Sequence, residues 1–144
     1  MATGMQRLVR RSLLSKLKAD VSLTILVAPT SINPPDVPTW PYIVLRSPVT
    51  RPFKVATKGA QGSWDIHAFA GQRMYGNQVF DTAEDHASAI GAAIEDALAD
   101  TWLDLIDLPG ERVRFGLSDI RLLQDGDPDH YHWFCQCNWR LVAC

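Results

Sequence analysis

The sequence lacks the features that mark membrane proteins and disulfide-stapled secreted domains. No apolar run reaches the roughly 20 residues with which a helix crosses a bilayer. The chain carries no secretory signal, and its cysteines, Cys135, Cys137 and Cys144, are odd in number, which is typical of a reducing compartment. We therefore predict a soluble protein without membrane contact, whose stability comes from an apolar core rather than from disulfides.

Charges of one sign are also absent from long stretches of the chain. Residues 1–19 and 37–64 contain no Asp or Glu, whereas residues 81–107 contain eight carboxylates and neither Lys nor Arg. The net charge of −2 hides this segregation. A single cluster of this kind is usually an ordinary solvated surface. Three clusters, each built from its own element, favour contacts between subunits in which a basic surface meets an acidic one.

Phosphate-binding, DNA-reading and metal-binding motifs are missing as well. The segments GAQG and GQRMYGNQ lack the Lys-Ser/Thr ending or the glycine spacing of nucleotide-binding loops, and no basic recognition helix is present. The segment HYHWFCQC offers His and Cys side chains of the kind that zinc binds. On a strand, however, His132 lies on the face opposite to Cys135 and Cys137. We therefore expect no metal and no cofactor, and core packing for both thiols.

Asp65 and His67 are the remaining candidates for catalysis. They share parity on one predicted strand, so the carboxylate could orient the imidazole. No Ser or Cys nucleophile in a recognisable turn accompanies them, and His86 is expected on a helix surface. We therefore predict no catalytic residue. A small α+β enzyme or ligand-binding domain that uses Asp65 and His67 is the alternative.

The clearest element is an amphipathic helix over Asp81–Asp100. Its apolar residues, among them Ile90 and Ile94, recur at spacings of three and four and form one stripe that must face a core. Asp81 or Thr82 can accept hydrogen bonds from the free N–H groups of the first turn. The end is less well defined, because apolar character continues to Leu108. The small residues of the stripe favour close packing on a sheet.

The rest of the pattern predicts a second helix and four strands. A basic amphipathic helix is expected over Met5–Lys18, after four disordered residues, and five prolines between Pro29 and Pro41 exclude regular structure there. The strands are predicted at Tyr42–Arg46, Ser63–Ala70, Arg112–Leu123 with a bulge near Gly116–Asp119, and His130–Val142. A long basic loop, Val49–Gln61, joins the first two strands. The expected fold is one α+β domain (1–144) in the order α-ββ-α-ββ, with a largely antiparallel sheet of about four strands and helices on one face.

The order of these features resembles a known family. A short N-terminal helix is followed by a proline-rich connection that ends in the strand Trp40–Leu45, and then by a Trp-containing strand at Trp64–Ala70. The alanine-rich helix opened by Asp81 and a closing hairpin complete the succession. It resembles the tail terminator, or tail completion, proteins of long-tailed bacteriophages and gene transfer agents, over nearly the whole chain.

The resemblance implies a structural, non-enzymatic role. Members of the family form a hexameric ring at the head-proximal end of the tail tube, where they end tube polymerisation and provide the head-joining surface. The implied partners are other copies of the chain, the major tail tube protein and the head completion or stopper protein, while DNA passes through the lumen without specific binding. The implied location is the virion, after assembly in the bacterial cytoplasm. Another head–tail connector subunit, such as a stopper, is an alternative.

The charge pattern predicts the surfaces that such a ring would use. Four bases are expected at a contact with a neighbouring subunit or the tube: Arg46, Arg51, Lys54 and Lys58. Three carboxylates are expected at the lumen or at the contact between subunits: Glu95, Asp96 and Asp100. Residues 81–107 contain eight carboxylates and neither Lys nor Arg. We therefore expect that some of these carboxylates face the lumen or a neighbouring subunit rather than bases of their own subunit.

Overall fold

The helices follow the apolar pattern of the sequence closely, and the strands follow it less closely. The computed structural model describes residues 2–36, 38–53, 59–124, 126 and 129–142. The helices within these ranges are α1 (Ala2–Ala19), α2 (Val21–Thr24) and α3 (Ala83–Leu98), with a 3-10 turn at Pro29–Ser31. The strands are β1 (Tyr42–Pro52), β2 (Gly59–Gly71), β3 (Arg73–Tyr75), β4 (Gln78–Asp81), β5 (Thr101–Asp104), β6 (Arg112–Gln124) and β7 (His130–Val142).

Five of the strands form one antiparallel sheet, in the order β1-β2-β7-β6-β5, and β3 pairs with β4 in a separate hairpin. α3 packs on β2, β6 and β7, and α1 packs on β1 and β2. The buried side chains of both helices join a single core with the inward-facing residues of the sheet. The α+β class and the mostly antiparallel sheet are thereby confirmed. In the described part of the chain, the other face of the sheet carries no helix, and we call it the open sheet face.

The sheet has one strand more than predicted, because residues 101–104 form β5 rather than a continuation of the helix. An apolar run such as Trp102–Leu108 fits a helix or a strand equally well by sequence alone. Ala99 already has an extended backbone, and the positive φ of 49° at Asp100 then turns the chain toward β5. β5 then pairs with β6, with Leu103 opposite Val113. The hairpin of β3 and β4 is a further pairing that the sequence pattern does not predict.

β1 is also longer than predicted, so that part of the expected loop Val49–Gln61 is strand. The register with β2 shifts between Arg46 and Val49, and the ladder then continues to Pro52. β1 is an edge strand, where proline is tolerated because an outward-facing N–H has no ladder partner to lose. Residues 54–58 of the expected loop lie outside the described residues.

β6 contains the irregularity that its change of apolar parity predicts. The register with β7 shifts between Ser118 and Arg121, and Asp119 has a positive φ of 55°. Leu117 before the shift and Leu122 after it consequently both lie opposite core residues of β7. β7 itself has the predicted bounds.

The sequence predicts the start and the buried stripe of α3 correctly. The hydroxyl oxygen of Thr82 accepts a hydrogen bond from the N–H of Asp85 at 3.1 Å. Ile90 and Ile94 are fully buried. A Cβ atom placed on Gly91 would lie 2.2 Å from Nε1 of the Trp133 indole. The missing side chain therefore lets the helix backbone lie directly on β7.

α1 buries the stripe that its sequence predicts, with Val9, Leu13 and Leu17 fully enclosed in the core. The helix begins at Ala2, ahead of the predicted start at Met5. α2 follows after Asp20, whose carboxylate accepts a hydrogen bond from the N–H of Leu23. None of the helices in the described ranges is both long enough and apolar enough to span a membrane.

His86 contradicts the prediction of a helix-surface histidine. Its side chain is only 2% exposed, with Nδ1 at 3.0 Å from the carbonyl oxygen of Gly71 and Nε2 at 3.5 Å from that of Leu26. The ring therefore links α3 to the end of β2 and to the segment after α2. A polar residue at a buried helical position is satisfied by partners far away in the chain, which helical periodicity does not reveal.

Candidate interaction surfaces

The open sheet face is lined by polar, aromatic and arginine side chains. Successive residues of a strand point to opposite faces, so the neighbours of core residues such as Ile66 and Cys135 point outward. Six arginines of β1, β6 and β7 belong to this outward set: Arg46, Arg51, Arg112, Arg114, Arg121 and Arg140. Helices therefore leave uncovered a face that is rich in positive charge.

A groove of about 790 Å³ lies on the open sheet face, and we call it the arginine groove. Four strands supply most of its charged and polar lining, and Asp100, just before β5, adds a carboxylate. The strand residues include Arg51, Ser63, Arg114, Gln136, Asn138 and Arg140. Gly62 and Gly116 also line it, and a Cβ on Gly116 would have open space around it, so this residue leaves the depression unfilled. Arginine presents a planar set of donors that suits carboxylate and phosphate groups. The groove is therefore a candidate site for an anionic partner.

Two of the predicted basic contact residues, Arg46 and Arg51, lie exposed on β1. Arg51 lines the arginine groove, whereas the guanidinium of Arg46 lies 5.8 Å from the ring centroid of Phe69. The other two, Lys54 and Lys58, lie outside the described residues.

Sequence reasoning missed Arg114 and Arg140, which lie far along the chain from the basic segment. The sheet brings them together, because Arg114 is opposite Arg140 in the pairing of β6 with β7, and Arg140 is opposite Gln61 in the pairing of β7 with β2. The alternation of apolar and polar residues in both strands does indicate that each arginine points away from the core. It does not indicate that the two arginines are neighbours, because that depends on the order of the strands in the sheet.

Half of the acidic residues in 81–107 pair with arginines of their own subunit. Asp100, predicted at the lumen or at a contact between subunits, pairs with Arg114 of its own subunit. Three more carboxylates have such a partner: Asp81 with Arg73, Asp104 with Arg112, and Asp107 with Arg11. These pairs are partly or largely exposed, so each contributes little to stability. They reduce the charge that is available to a partner.

The other four carboxylates lie on α3 and form no ion pair with another described residue. Glu84, Asp85 and Asp96 are exposed, and Glu95 is half-buried. Since α3 packs on the sheet through its apolar stripe, these carboxylates lie on the side away from the sheet. We call them the acidic helix face.

Comparison with known proteins then decides the family. The sequence model of the family described as tail completion protein gp17 matches residues 11–141. The chain belongs to this family. A chain from a structure described as the virion of a native gene transfer agent (GTA) particle has a similar fold, with a TM-score of 0.73 and 18% sequence identity over 96% of this chain and 98% of that chain. No curated protein sequence matches this chain.

Family membership confirms the resemblance that the sequence suggests. A tail completion protein is a structural component of a phage tail, and membership implies a virion protein rather than an enzyme. Surfaces that bind other virion proteins are therefore the features of this chain that bear on its function. The open sheet face and the acidic helix face are two described surfaces that carry several charged side chains without an ion-pair partner among the described residues.

In this tail completion protein, Asp65 and His67 lie on the open sheet face, as their shared parity predicts, but His67 is hydrogen-bonded to another histidine. Nδ1 of His67 lies 2.6 Å from Nε2 of His132, so one ring nitrogen donates and the other accepts. Both rings stack against Phe69, at centroid distances of 6.1 and 4.3 Å. Burial, followed by the positive charges of His132 and Arg46, lowers the pKa of His67. The two rings are therefore a packed part of the surface.

We expect this pair to make the tail completion protein less stable in mild acid. The unfolded chain binds a proton at His67 below about pH 6.5, while the folded chain, with its lowered pKa, does not. Protonation therefore favours the unfolded state as the pH falls through that range. His67→Phe should reduce the loss, which urea unfolding at pH 7.5 and 5.5 would measure. If the free energy of unfolding falls equally in the parent and in His67→Phe, then protonation of His67 does not cause the loss of stability in acid.

The cysteines of HYHWFCQC lie in the core of the tail completion protein, on the opposite side of β7 from His132, as predicted. Cys135 and Cys137 are fully buried beside Trp133 and Trp139. Burial raises the pKa of Cys135 to about 12 and raises that of Cys137 further. Both thiols are therefore protonated at neutral pH and pack as apolar groups. Cys144 lies outside the described residues.

An aromatic cluster at the other end of the open sheet face is a feature that the sequence pattern does not single out. The Trp40 ring lies 5.6 Å from the centroids of both Tyr42 and Phe69, and 4.6 Å from that of His130. Trp40 is still 40% exposed. The Trp-Pro-Tyr junction was a visible signal, but its ring partners belong to β2 and β7. The open sheet face thus presents aromatic rings, with Arg46 beside them, at one end and the arginine groove at the other.

Proposed function

We propose that the protein is a tail terminator. Copies of the chain form a hexameric ring on the head-proximal end of the tail tube, end the polymerisation of the major tail tube protein, and provide the surface that the head completion or stopper protein joins. The protein acts in the virion, at the head–tail junction, after assembly in the bacterial cytoplasm. The family match over residues 11–141 is the observation that carries this proposal.

The distribution of charge supports a ring built from head-to-tail contacts. The arginines of the open sheet face and the acidic helix face lie on opposite sides of the sheet and helix layers. A subunit with two different complementary surfaces can contact two neighbours at once. Such heterologous contacts give a closed ring when the rotation from one subunit to the next is a whole-number division of a full turn.

Passage of DNA through the ring favours an acidic lumen. Each phosphate that Lys or Arg neutralises adds affinity by counterion release and would retard sliding. Part of the acidic helix face, with Glu95, therefore lines the channel in this proposal, and the part with Asp96 faces a neighbouring subunit. The arginines of the open sheet face are turned toward proteins rather than toward the DNA.

We expect the purified protein to assemble into particles of about six times the 16.0 kDa subunit mass. Raising the salt from 0.1 to 1 M should weaken assembly, because the Debye length falls from ~10 to ~3 Å and screens exposed charge contacts. Analytical ultracentrifugation at both salt concentrations would measure the mass. The same preparation should not retain duplex DNA at physiological salt in a gel-shift assay.

Two results would count against this function. A parent protein that stays monomeric at every concentration tested would argue against a ring. Tight binding of duplex DNA that disappears in Arg51→Glu would argue against a lumen that lets DNA slide. Arg7→Glu is the matched control, because it makes the same charge reversal on the exposed side of α1, away from the open sheet face.

A further inference from the structure

The arginine groove carries more positive charge than its own subunit balances. Arg114 pairs with Asp100 at the edge of the groove. Arg51 and Arg140 have no carboxylate partner among the described residues, although the guanidinium of Arg140 lies 5.4 Å from the ring centroid of Phe53. Both side chains are exposed. The groove thus holds two charged, uncommitted donor groups around a floor of small residues.

The acidic helix face has the complementary composition. Glu84, Asp85 and Asp96 are exposed and have no cationic partner among the described residues. Ser88 and Ala92, the exposed residues between them, are small. A helix side with short central side chains and acidic ends can approach another surface closely, because few long side chains stand in the way.

We propose that the arginine groove of one copy receives the acidic helix face of a second copy. The inference rests on the proposed ring and names its contact. α3 packs on the core side of β2, β6 and β7, and the groove lies on the other side of those same strands together with β1. One subunit can therefore offer its helix to one neighbour and its groove to the next. Charge complementarity of this kind steers association and fixes the orientation of the partners.

The occupant is a protein surface rather than a nucleic acid backbone. An acidic helix can align its carboxylates with Arg51 and Arg140 and place the small neutral residues between them against the rest of the groove, whereas a nucleic acid backbone presents a continuous row of phosphates that would also meet Asp100 in the lining. Carboxylate and guanidinium groups form two parallel hydrogen bonds in the favourable case, which adds orientation to attraction. Binding of duplex DNA is the opposing outcome, and the experiment includes it.

Reciprocal charge reversal tests the contact. Variant A carries Arg51→Glu and Arg140→Glu, so both of its contact surfaces are acidic. Variant B carries Glu84→Lys, Asp85→Lys and Asp96→Lys, so both of its contact surfaces are basic. Each alone should associate at least about 100-fold more weakly than the parent, because like charges then meet. An equimolar mixture should assemble again, with A and B alternating. Native mass spectrometry would measure how many copies of A and of B each ring contains. The two numbers should be equal, because an alternating ring closes only with an even number of subunits.

Controls separate a lost contact from a lost fold. Both variants change exposed residues and should keep the parent's circular dichroism and melting temperature, while Arg7→Glu with Lys18→Glu on α1 should assemble like the parent. If A and B each assemble like the parent, the contact is wrong and the ring proposal stands. If the parent never assembles, the proposed function fails and the contact with it. If the parent binds duplex DNA and variant A does not, the groove serves nucleic acid and the contact is overturned.

Discussion

Ile94→Asp is expected to unfold the protein at 25 °C. Ile94 is fully buried in the stripe with which α3 packs on the sheet. A carboxylate there would lose its water without gaining a partner, and even a protonated Asp would leave polar atoms unpaired in the core. This costs several kcal/mol. The total free energy of unfolding of a domain of this size is about 5–15 kcal/mol, so one such residue can consume most of it.

Urea unfolding followed by circular dichroism would measure this loss. Ala92→Asp is the matched control, because Ala92 lies two residues earlier in α3 and is exposed. The control adds the same side chain with the same helix propensity and should change the free energy of unfolding by less than about 1 kcal/mol. A parent-like midpoint for Ile94→Asp would mean that α3 does not carry the core.

Elements defined by local chemistry could be predicted from the sequence. The N-cap at Asp81 or Thr82, the apolar stripe of α3 and the strict alternation of β7 each depend on residues within one element. The structure agrees with all three and places the N-cap at Thr82. The bulge in β6 was predicted for the same reason, since the change of parity is visible within a single strand. Local rules therefore recover most of the helices and the centre of the sheet.

Features that depend on which strands are neighbours could not be predicted. β5 looks like a continuation of α3 until the positive φ of Asp100 turns the chain and β6 supplies the pairing. His86 looks solvent-exposed until Gly71 and Leu26 supply carbonyl partners. In each case the stabilising partner is distant in sequence, so no local pattern contains the information.

The candidate surfaces could likewise be predicted only where their charged residues lie within one segment of the chain. The basic segment of β1 and the acidic segment of α3 were visible as blocks of like charge, and Arg51 and Asp96 are exposed as a contact requires. The arginine groove was not visible, since Arg51, Arg114 and Arg140 come from three strands. Asp100 was predicted at the lumen or at a contact between subunits because it belongs to the acidic segment, and the pairing of β5 with β6 additionally brings Arg114 to it.

Gly91→Val is expected to destabilise the protein strongly, although less than Ile94→Asp does. A Cβ on residue 91 would lie 2.2, 2.3 and 2.5 Å from three atoms of the Trp133 indole, and that ring is only 3% exposed. The ring cannot move aside without disturbing the core around it, since protein interiors are close-packed. Overpacking of this kind costs up to about 3 kcal/mol, and Val adds two methyl groups beyond the Cβ. Helix propensity alone would favour replacing the glycine, by a few tenths of a kcal/mol or more.

A double-mutant cycle isolates the contact between Gly91 and Trp133. The free energy of unfolding is measured for the parent, Gly91→Val, Trp133→Leu and the double variant. Trp133→Leu frees space beneath α3, so Val at position 91 should cost at least about 1 kcal/mol less in that background than in the parent. Ala92→Val, at the adjacent exposed position, controls for the lower helix propensity of a β-branched residue and should cost only about 0.5 kcal/mol. Additive free energies in the cycle, or a Gly91→Val protein as stable as the parent, would show that α3 does not lie against the indole as closely as described.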